Sequence, residues 1–539
     1  MTAPGKADEL VPHPVKDQLP GVDICVNSNP SWPEAVILAF QHYLVMLGTT
    51  VIISTVIVPQ MGGGKAEKAQ VVQTLLFVAG LNTLLQTWFG TRLPVVMGGS
   101  FRFILPSLSI VLSNRYSAYV NPHDRFVRSM RGIQGALMVA SVLPILAGFL
   151  GVWRIVMRFL SPLSAVPLVT LVGLGLYQQG FPLLANCIEL GLPELIILIL
   201  LSQYFPYMWK SRRLDQFAVL ISVAIVWAYA SLVTAAGAYK NRPPSTQLSC
   251  RVDRSGLISG ASWIKFPYPF QWGTPTLDAG DAFVMMAAAL VALIESTGTF
   301  IAASRYSSAT PIPPSVLSRG AGWLVRSILL VDSRTMDSGI SLLLDGLFGT
   351  ASGSTASVDL FVILMVSLSL NNQESSGPLS LLYRCQYLEH CTASCLPTHL
   401  LLTFDYYGIM VGAASAGLGL LQFCNLNSYR TKFILGFSLF MGLSVPQYFN
   451  EYIITTGVGP VHTRSTWFDK IMLVIFTSPA TVAAIIALFL DCTLARKHSL
   501  TWRDSGRHWW GKFKYFDKDL RSAEFYALPL SLSKYFPSV

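Results

Sequence analysis

Apolar runs close to the length of a bilayer crossing recur from residue 34 almost to the end of the chain. They fall at 34–60, 71–91, 134–152, 160–178, 191–208, 216–238, 278–304, 404–424, 431–447 and 470–491. A hydrocarbon core of about 30 Å takes roughly 20 helical residues, so each run predicts a membrane-spanning helix. The polar stretch 239–276, with Pro243, Pro244, Cys250 and Gly273, is the longest loop of the first two thirds. It divides the apolar region into two comparable halves. Residues 1–33 are polar and carry prolines at 12, 14, 20, 30 and 33, which predicts a mobile tail and no cleavable leader. The first span then serves as the targeting signal.

Two further apolar segments are interrupted. Leu93–Leu112 is broken by Pro94, Gly98, Gly99 and Pro106, and Leu342–Val358 is crowded with glycine, serine and threonine. Irregular backbone at membrane depth is tolerated only where protein or a water-filled cavity covers its free polar groups. Paired broken elements in two halves of a chain point to a solute carrier with inverted repeats and a midplane site. GGSFRFILPSLS reads as an extended stretch from Ser100 to Phe103 that enters a helix near Pro106.

Composition removes the soluble alternative: 52% of residues are hydrophobic and 12% charged, where a soluble protein carries about 25% charged residues. The net charge of +10 sits in loops and tails, not in one stripe, and so suits anionic lipid headgroups better than nucleic acid. The basic tail from Ala495 predicts a cytoplasmic C-terminus, and Lys210, Arg212 and Arg213 belong on the same side. Arg115, Arg125, Arg128 and Arg131 fit no simple alternation. The eight cysteines show no recurring disulfide or metal spacing; Cys385, Cys391, Cys395 and His399 are wider apart than zinc pairs such as C-x2-C. No metal and no cofactor is expected. Acid pairs and HExxH are missing from the membrane segments, which argues against an enzyme.

A few polar residues stand out within the apolar runs. Glu295 lies in AFVMMAAALVALIESTGTFIAA, with Thr299 one turn on. A carboxylate at that depth costs about 2 to 3 kcal/mol, so it faces a polar cavity or a partner, as substrate acceptor, proton carrier or structural acid. Gln41 and His42 open the first span. The Gln41 amide can pair with a planar ring edge, whereas His42 better suits holding a neighbouring helix or Glu295. Backbone near Ser100 can meet a ligand, Phe103 can stack on a flat ring, and Arg102 demands an anion or a route to water. Asp345, in SLLLDGLFGTASGSTAS, is either a helix cap or a coupling acid.

These residues sit in blocks that resemble the plant nucleobase-ascorbate transporter family. They include SWPEAVILAFQHYLVMLGTTVIISTVIVPQMGGG, QTLLFVAGLNTLLQTWFGTRLPVVMGGS, RFLSPLSAVPLVTLVGLGLYQQGFP, ALIESTGTFIAASRY, PPSVLSRGAGW and GLGLLQFCNLNSYRTKFILGFSLFMGLSVPQYFNEY. The resemblance implies an all-α polytopic fold of about fourteen membrane segments in two inverted repeats of seven, with short strands in the third and tenth. It implies a core domain (34–152 and 277–403), a gate domain (153–238 and 404–491), the loop 239–276 and a cytoplasmic tail, 492–539. It also implies a homodimer with no nucleic-acid partner, in the plasma membrane with both termini cytoplasmic, moving substrate by an elevator motion. The implied substrates are nucleobases such as xanthine, uric acid, adenine or uracil, or else ascorbate, coupled to protons or sodium. By the same resemblance Gln41, Glu295, Phe103 and Ser100 are substrate positions, and His42, Asp345 and Thr299 structural or coupling positions.

Two stretches depart from the family pattern. Residues 324–338 are extra sequence, and 359–411 replace the tenth-segment signature and the helix after it, with Asp359 and Leu360 where the family's pattern begins. Both have the character of a retained non-coding piece or a shifted reading frame. A product lacking half its site would serve only as an interaction partner of intact homologues.

Overall fold

In a computed structural model the structure describes residues 32–93, 95–117, 119–149, 152–175, 177, 181–205, 208, 217–243, 246–247, 250–252, 266–306, 312–321, 338–356, 414–494, 504–505 and 526. The tails apart from these residues, 324–337 and 359–411 lie outside that description, as do the side chains of Gln41 and His42.

The described chain is mostly helical. The elements that position the site are α1 (Trp32–Gln60), α2 (Lys65–Phe89), β1 (Met97–Gly99), α3 (Ile104–Val111), α4 (Pro122–Phe149), α5 (Pro162–Leu174), α6 (Ile188–Ile199) and α7 (Ala218–Ala235). They continue with α8 (Ala279–Tyr306), α9 (Ser338–Phe348), β2 (Ser354–Ala356), α10 (Tyr429–Thr456), α11 (Thr466–Phe476) and α12 (Pro479–Thr493). Four described helices are long and apolar enough to cross a membrane: Lys65–Phe89, Pro122–Gly148, Ala185–Ser202 and Ala279–Ser304. A bent pair, α11 and α12, makes a fifth crossing if taken together.

The ten plain spans read from hydropathy are therefore corrected in two ways. The run 470–491 is not one helix: it breaks between α11 and α12 and turns by 85°. The cause is local, since Ser478 caps α12, accepting the Thr481 N–H at 3.3 Å, and Pro479 at the first turn has no N–H to continue the preceding helix. The run 160–178 yields only the 13 residues of α5, about 20 Å at the helical rise.

The two interrupted segments do pair. β1 and β2 run antiparallel with Met97 opposite Ala356, Gly98 opposite Thr355 and Gly99 opposite Ser354. Each strand thereby satisfies backbone groups that membrane depth leaves without water. The extended stretch itself is shifted from the expected Ser100–Phe103 to Met97–Gly99. Ser100 begins a turn instead: its hydroxyl accepts the Arg102 N–H at 3.3 Å, and Phe101–Phe103 form a single 3₁₀ turn leading into α3.

The buried core has two main parts. One gathers Ile53, Ile57, Val71, Phe126, Ile133, Met285 and Val291 from α1, α2, α4 and α8, with Phe103 from the 3₁₀ turn. The other gathers Val166, Leu168, Val172, Leu293, Phe300, Ala480 and Ala483, which packs α5, α8 and α12 together. α8 contributes to both, so Glu295, between Val291 and Phe300, sits where the two meet.

One disulfide forms among the eight cysteines, whose spacing shows no recurring pairing. Cys187, just before α6, bonds Cys250 with 5.5 Å between Cα atoms. The partners are 63 residues apart and meet only because α6 and α7 pack as an antiparallel pair, which spacing alone does not reveal.

Candidate substrate site

Glu295 stands on the seventeenth residue of the 28-residue α8, and its side chain is 12% exposed. It faces protein, with one oxygen serving two donors. Arg102 Nε reaches Oε1 at 2.7 Å and Ser478 Oγ donates to the same atom at 2.8 Å. Arg102 comes from the turn between β1 and α3, and Ser478 from the break between α11 and α12. Two chain interruptions thus converge on the acid, which answers the cost of placing a carboxylate in an apolar helix.

Beside this pair lies a cavity of about 220 Å³, lined by residues that include Phe101, Arg102, Tyr177, Gln447, Asn450 and Thr477. At about 30 Å³ per water this is roughly seven waters' worth, room for one small planar molecule. Its polar lining is ordered by its own bonds: Tyr177 donates to Gln447 Oε1, and Gln447 Nε2 donates to Glu451 at 2.6 Å. Gly175 and Pro479 also line it. A Cβ on Gly175 would meet Pro479 at 2.8 Å, so the end of α5 approaches α12 as closely as glycine allows.

Not every residue singled out from sequence lies here. Phe103 is 1% exposed and packs on Gly353, whose added Cβ would sit 2.7 Å from its ring; the aromatic ring that lines the cavity is Phe101. Ser100 is buried within the strand turn, its N–H donating to Gly353 O at 3.0 Å and its carbonyl accepting from Ser352 Oγ at 3.2 Å. Thr299 is buried and donates to the Glu295 carbonyl at 3.2 Å, one turn back along α8. Asp345 is fully buried and takes both the N–H and, at 2.9 Å, the hydroxyl of Ser354. It holds the start of β2 against α9 and is not in the cavity lining. Gln41 and His42 lie on α1, with side chains outside the described residues.

Ser478 is the partner of Glu295 that hydropathy concealed. A Ser-Pro step inside a 22-residue apolar run is a helix-start signal, and reading it as such would have exposed the second break.

A transporter-like arrangement of this kind agrees with what the chain is similar to. The Permease family pattern matches residues 33–359. Over 538 residues it is 56% identical to nucleobase-ascorbate transporter 4 of Arabidopsis thaliana, covering 99% of both chains. The chain belongs to the nucleobase-ascorbate transporter family. Arabidopsis nucleobase-ascorbate transporter 7 is likewise 56% identical, across 100% of this chain and 98% of its own. A Zea mays family member is 50% identical over 99% of this chain and all of its own. Among solved structures, the transmembrane domain of a cyanobacterium bicarbonate transporter aligns at a TM-score of 0.38 and 15% identity, over 76% of this chain and 94% of that one. The chain is thus a multi-pass membrane protein of a transporter family, and the match to the family pattern ends at Asp359.

Proposed function

We propose that this protein is a secondary active transporter of nucleobases, of the xanthine, uric acid, adenine or uracil type, with Glu295 at the centre of the substrate site. The observation that carries the reading is the Glu295–Arg102–Ser478 cluster, built from two chain interruptions beside a small cavity. A carboxylate in such a place accepts N–H groups of a heterocycle, and Phe101 offers a ring face. Ascorbate is the alternative substrate, since relatives carry that word in their names. The coupling cation is a proton or sodium, for which a midplane acid suffices.

The break at α11–α12 and the packing of α5 on α12 support an elevator in which gate helices 153–238 and 404–491 frame a core, 34–152 and 277–403, working as a homodimer. The Cys187–Cys250 disulfide supports placing loop 239–276 on the oxidising, outer side of the plasma membrane and both tails in the cytoplasm.

The test is uptake of labelled xanthine, uracil and ascorbate in cells lacking their own nucleobase uptake. Glu295→Gln is expected to abolish uptake with surface expression intact; unchanged uptake of all three removes Glu295 from the site. A second reading rests on the family pattern ending at residue 359: a transport-defective relative that acts through intact homologues. Uptake that is absent for this chain but restored by an intact tenth segment, together with recovery of a homologue on the immunoprecipitated chain, would select it.

A further inference from the structure

The seam between α8 and α11 is apolar over most of its length. Ile471, Val474 and Ile475 of α11 pack into the same cluster as Val284, Met285 and Ala288 of α8. Aliphatic contacts of this kind have no direction, so one can take the place of another as a helix moves along its neighbour. Contacts that do have a direction close the seam at both ends. Deep in the molecule Ser478, just past α11, donates to Glu295 at 2.8 Å. Twelve residues earlier on α8, about 18 Å away at the helical rise, the ring of Phe283 lies against that of Trp467. Their centroids are 5.8 Å apart and their planes are tilted by 38°.

Each ring is fixed within its own part of the molecule. Arg115 ties down the start of α8, pairing with Asp278 at 2.8 Å and with Asp281. Asp469 ties down the start of α11, accepting the Thr463 N–H at 2.9 Å and the Thr463 hydroxyl at 2.7 Å. Among the described residues no hydrogen bond or ion pair joins these two helix starts to each other, so the rings are the directional contact between them. Both rings are about half exposed, at 50% and 48%, and parting them therefore exposes little further surface. Aromatic residues at helix ends also anchor a protein at the membrane interface, but an anchor needs no ring on a facing helix. A ring pair of this kind shifts a two-state equilibrium about two- to tenfold.

We propose that Phe283 and Trp467 form a latch between core and gate: the pair holds α8 in its present register, and α8 moves along α11 only once the rings part. This rests on the transporter reading and its elevator, to which it adds the contact that sets the resting position.

Uptake of labelled xanthine, uracil and ascorbate per surface-exposed molecule tests it, with the full chain in cells that lack nucleobase uptake. Phe283→Ala and Trp467→Ala should each raise the maximal rate about two- to tenfold, and the double variant no further than either alone, since the same contact is lost each time. Phe283→Tyr keeps a ring and should keep the wild-type rate. Phe283→Cys and Trp467→Cys together, bridged by a short bismaleimide, should stop uptake, with wild-type chain treated alike to account for the native cysteines. Uptake that continues after bridging overturns the latch whether or not the alanine variants reach the surface, and so does a cysteine pair that the reagent fails to bridge. Rates that do not rise in the alanine variants, or that rise additively in the double variant, overturn it as well and leave the Glu295 site standing. Wild-type chain that takes up none of the three overturns the transporter reading and the latch together.

Discussion

The Ser478 hydroxyl has two duties that a substitution can separate. It caps α12 through the Thr481 N–H and donates to Glu295. Losing a helix cap costs about 1 kcal/mol and a hydrogen bond to a charged group about 1.5–3 kcal/mol. Ser478→Ala should therefore lower the melting temperature slightly and raise KM for uptake several-fold, whereas Ser478→Thr should preserve both; uptake by Ser478→Ala at wild-type KM would show that the bond to Glu295 does not matter. Asp345 makes a contrasting case. Its carboxylate serves Ser354 twice within fully buried surroundings, so Asp345→Ala strands two donors at about 1–3 kcal/mol each. Thermal stability in detergent should fall clearly for Asp345→Ala and less for Asp345→Asn, which keeps an acceptor. A coupling role would instead leave stability alone and change the ion dependence of uptake.

At the level of elements, the apolar runs located most of the described helices, because burial in lipid or protein demands long apolarity. The run 134–152 missed twelve residues at the start of α4 and the run 431–447 nine at the end of α10, and 404–413 lie outside the described residues. They misjudged the places where the chain stops being helical. Met97–Gly99 pairs with Ser354–Ala356 across more than 250 residues, and no local pattern fixes that register. Glu295 was legible as an acid in an apolar helix, and Arg102 as a charge needing an anion; that each answers the other became visible only in the fold. Phe103 lies in the core while Phe101, two residues before it, lines the cavity, because the 3₁₀ turn carries the two rings to different sides. The close approach at Gly353 gives a test of that account. A Cβ there would lie 2.5 Å from Leu342 and 2.7 Å from Phe103, an overpacking that costs about 1–3 kcal/mol. Gly353→Ala should reduce the yield and melting temperature of folded protein, and adding Phe103→Leu should recover part of the loss. No recovery would mean that the strain falls on the strand pair instead.

For the whole molecule, orientation ties the disulfide to the arginines that broke the positive-inside pattern. Arg115 pairs with Asp278 at 2.8 Å and with Asp281, Arg125 donates to Gln60 O, Arg128 lies 4.4 Å over the Tyr119 ring, and Arg131 donates to Trp272 O at 2.7 Å. Among the described residues only Arg115 of the four meets carboxylates, and Arg125, Arg128 and Arg131 are held by neutral partners and keep their charge. Close to the disulfide, Tyr239 donates to Glu189 at 2.7 Å; burial first, and then that carboxylate, push its hydroxyl well above the ordinary phenol range, which keeps it a donor at physiological pH. If Cys187 and Cys250 face the oxidising side, an epitope inserted within 253–265 should bind antibody on intact cells. A C-terminal epitope should need permeabilised ones, if the basic tail follows the positive-inside tendency and shares the side of Lys210, Arg212 and Arg213. Cys187→Ser and Cys250→Ser should each lower stability, by up to about 4 kcal/mol for a loop of 63 residues in the chain-entropy account. The double variant should lose no more than either single one, since one bond is all that each removes. Antibody reaching the C-terminal epitope on intact cells would invert the orientation, and additive losses in the double variant would mean that the two thiols act separately.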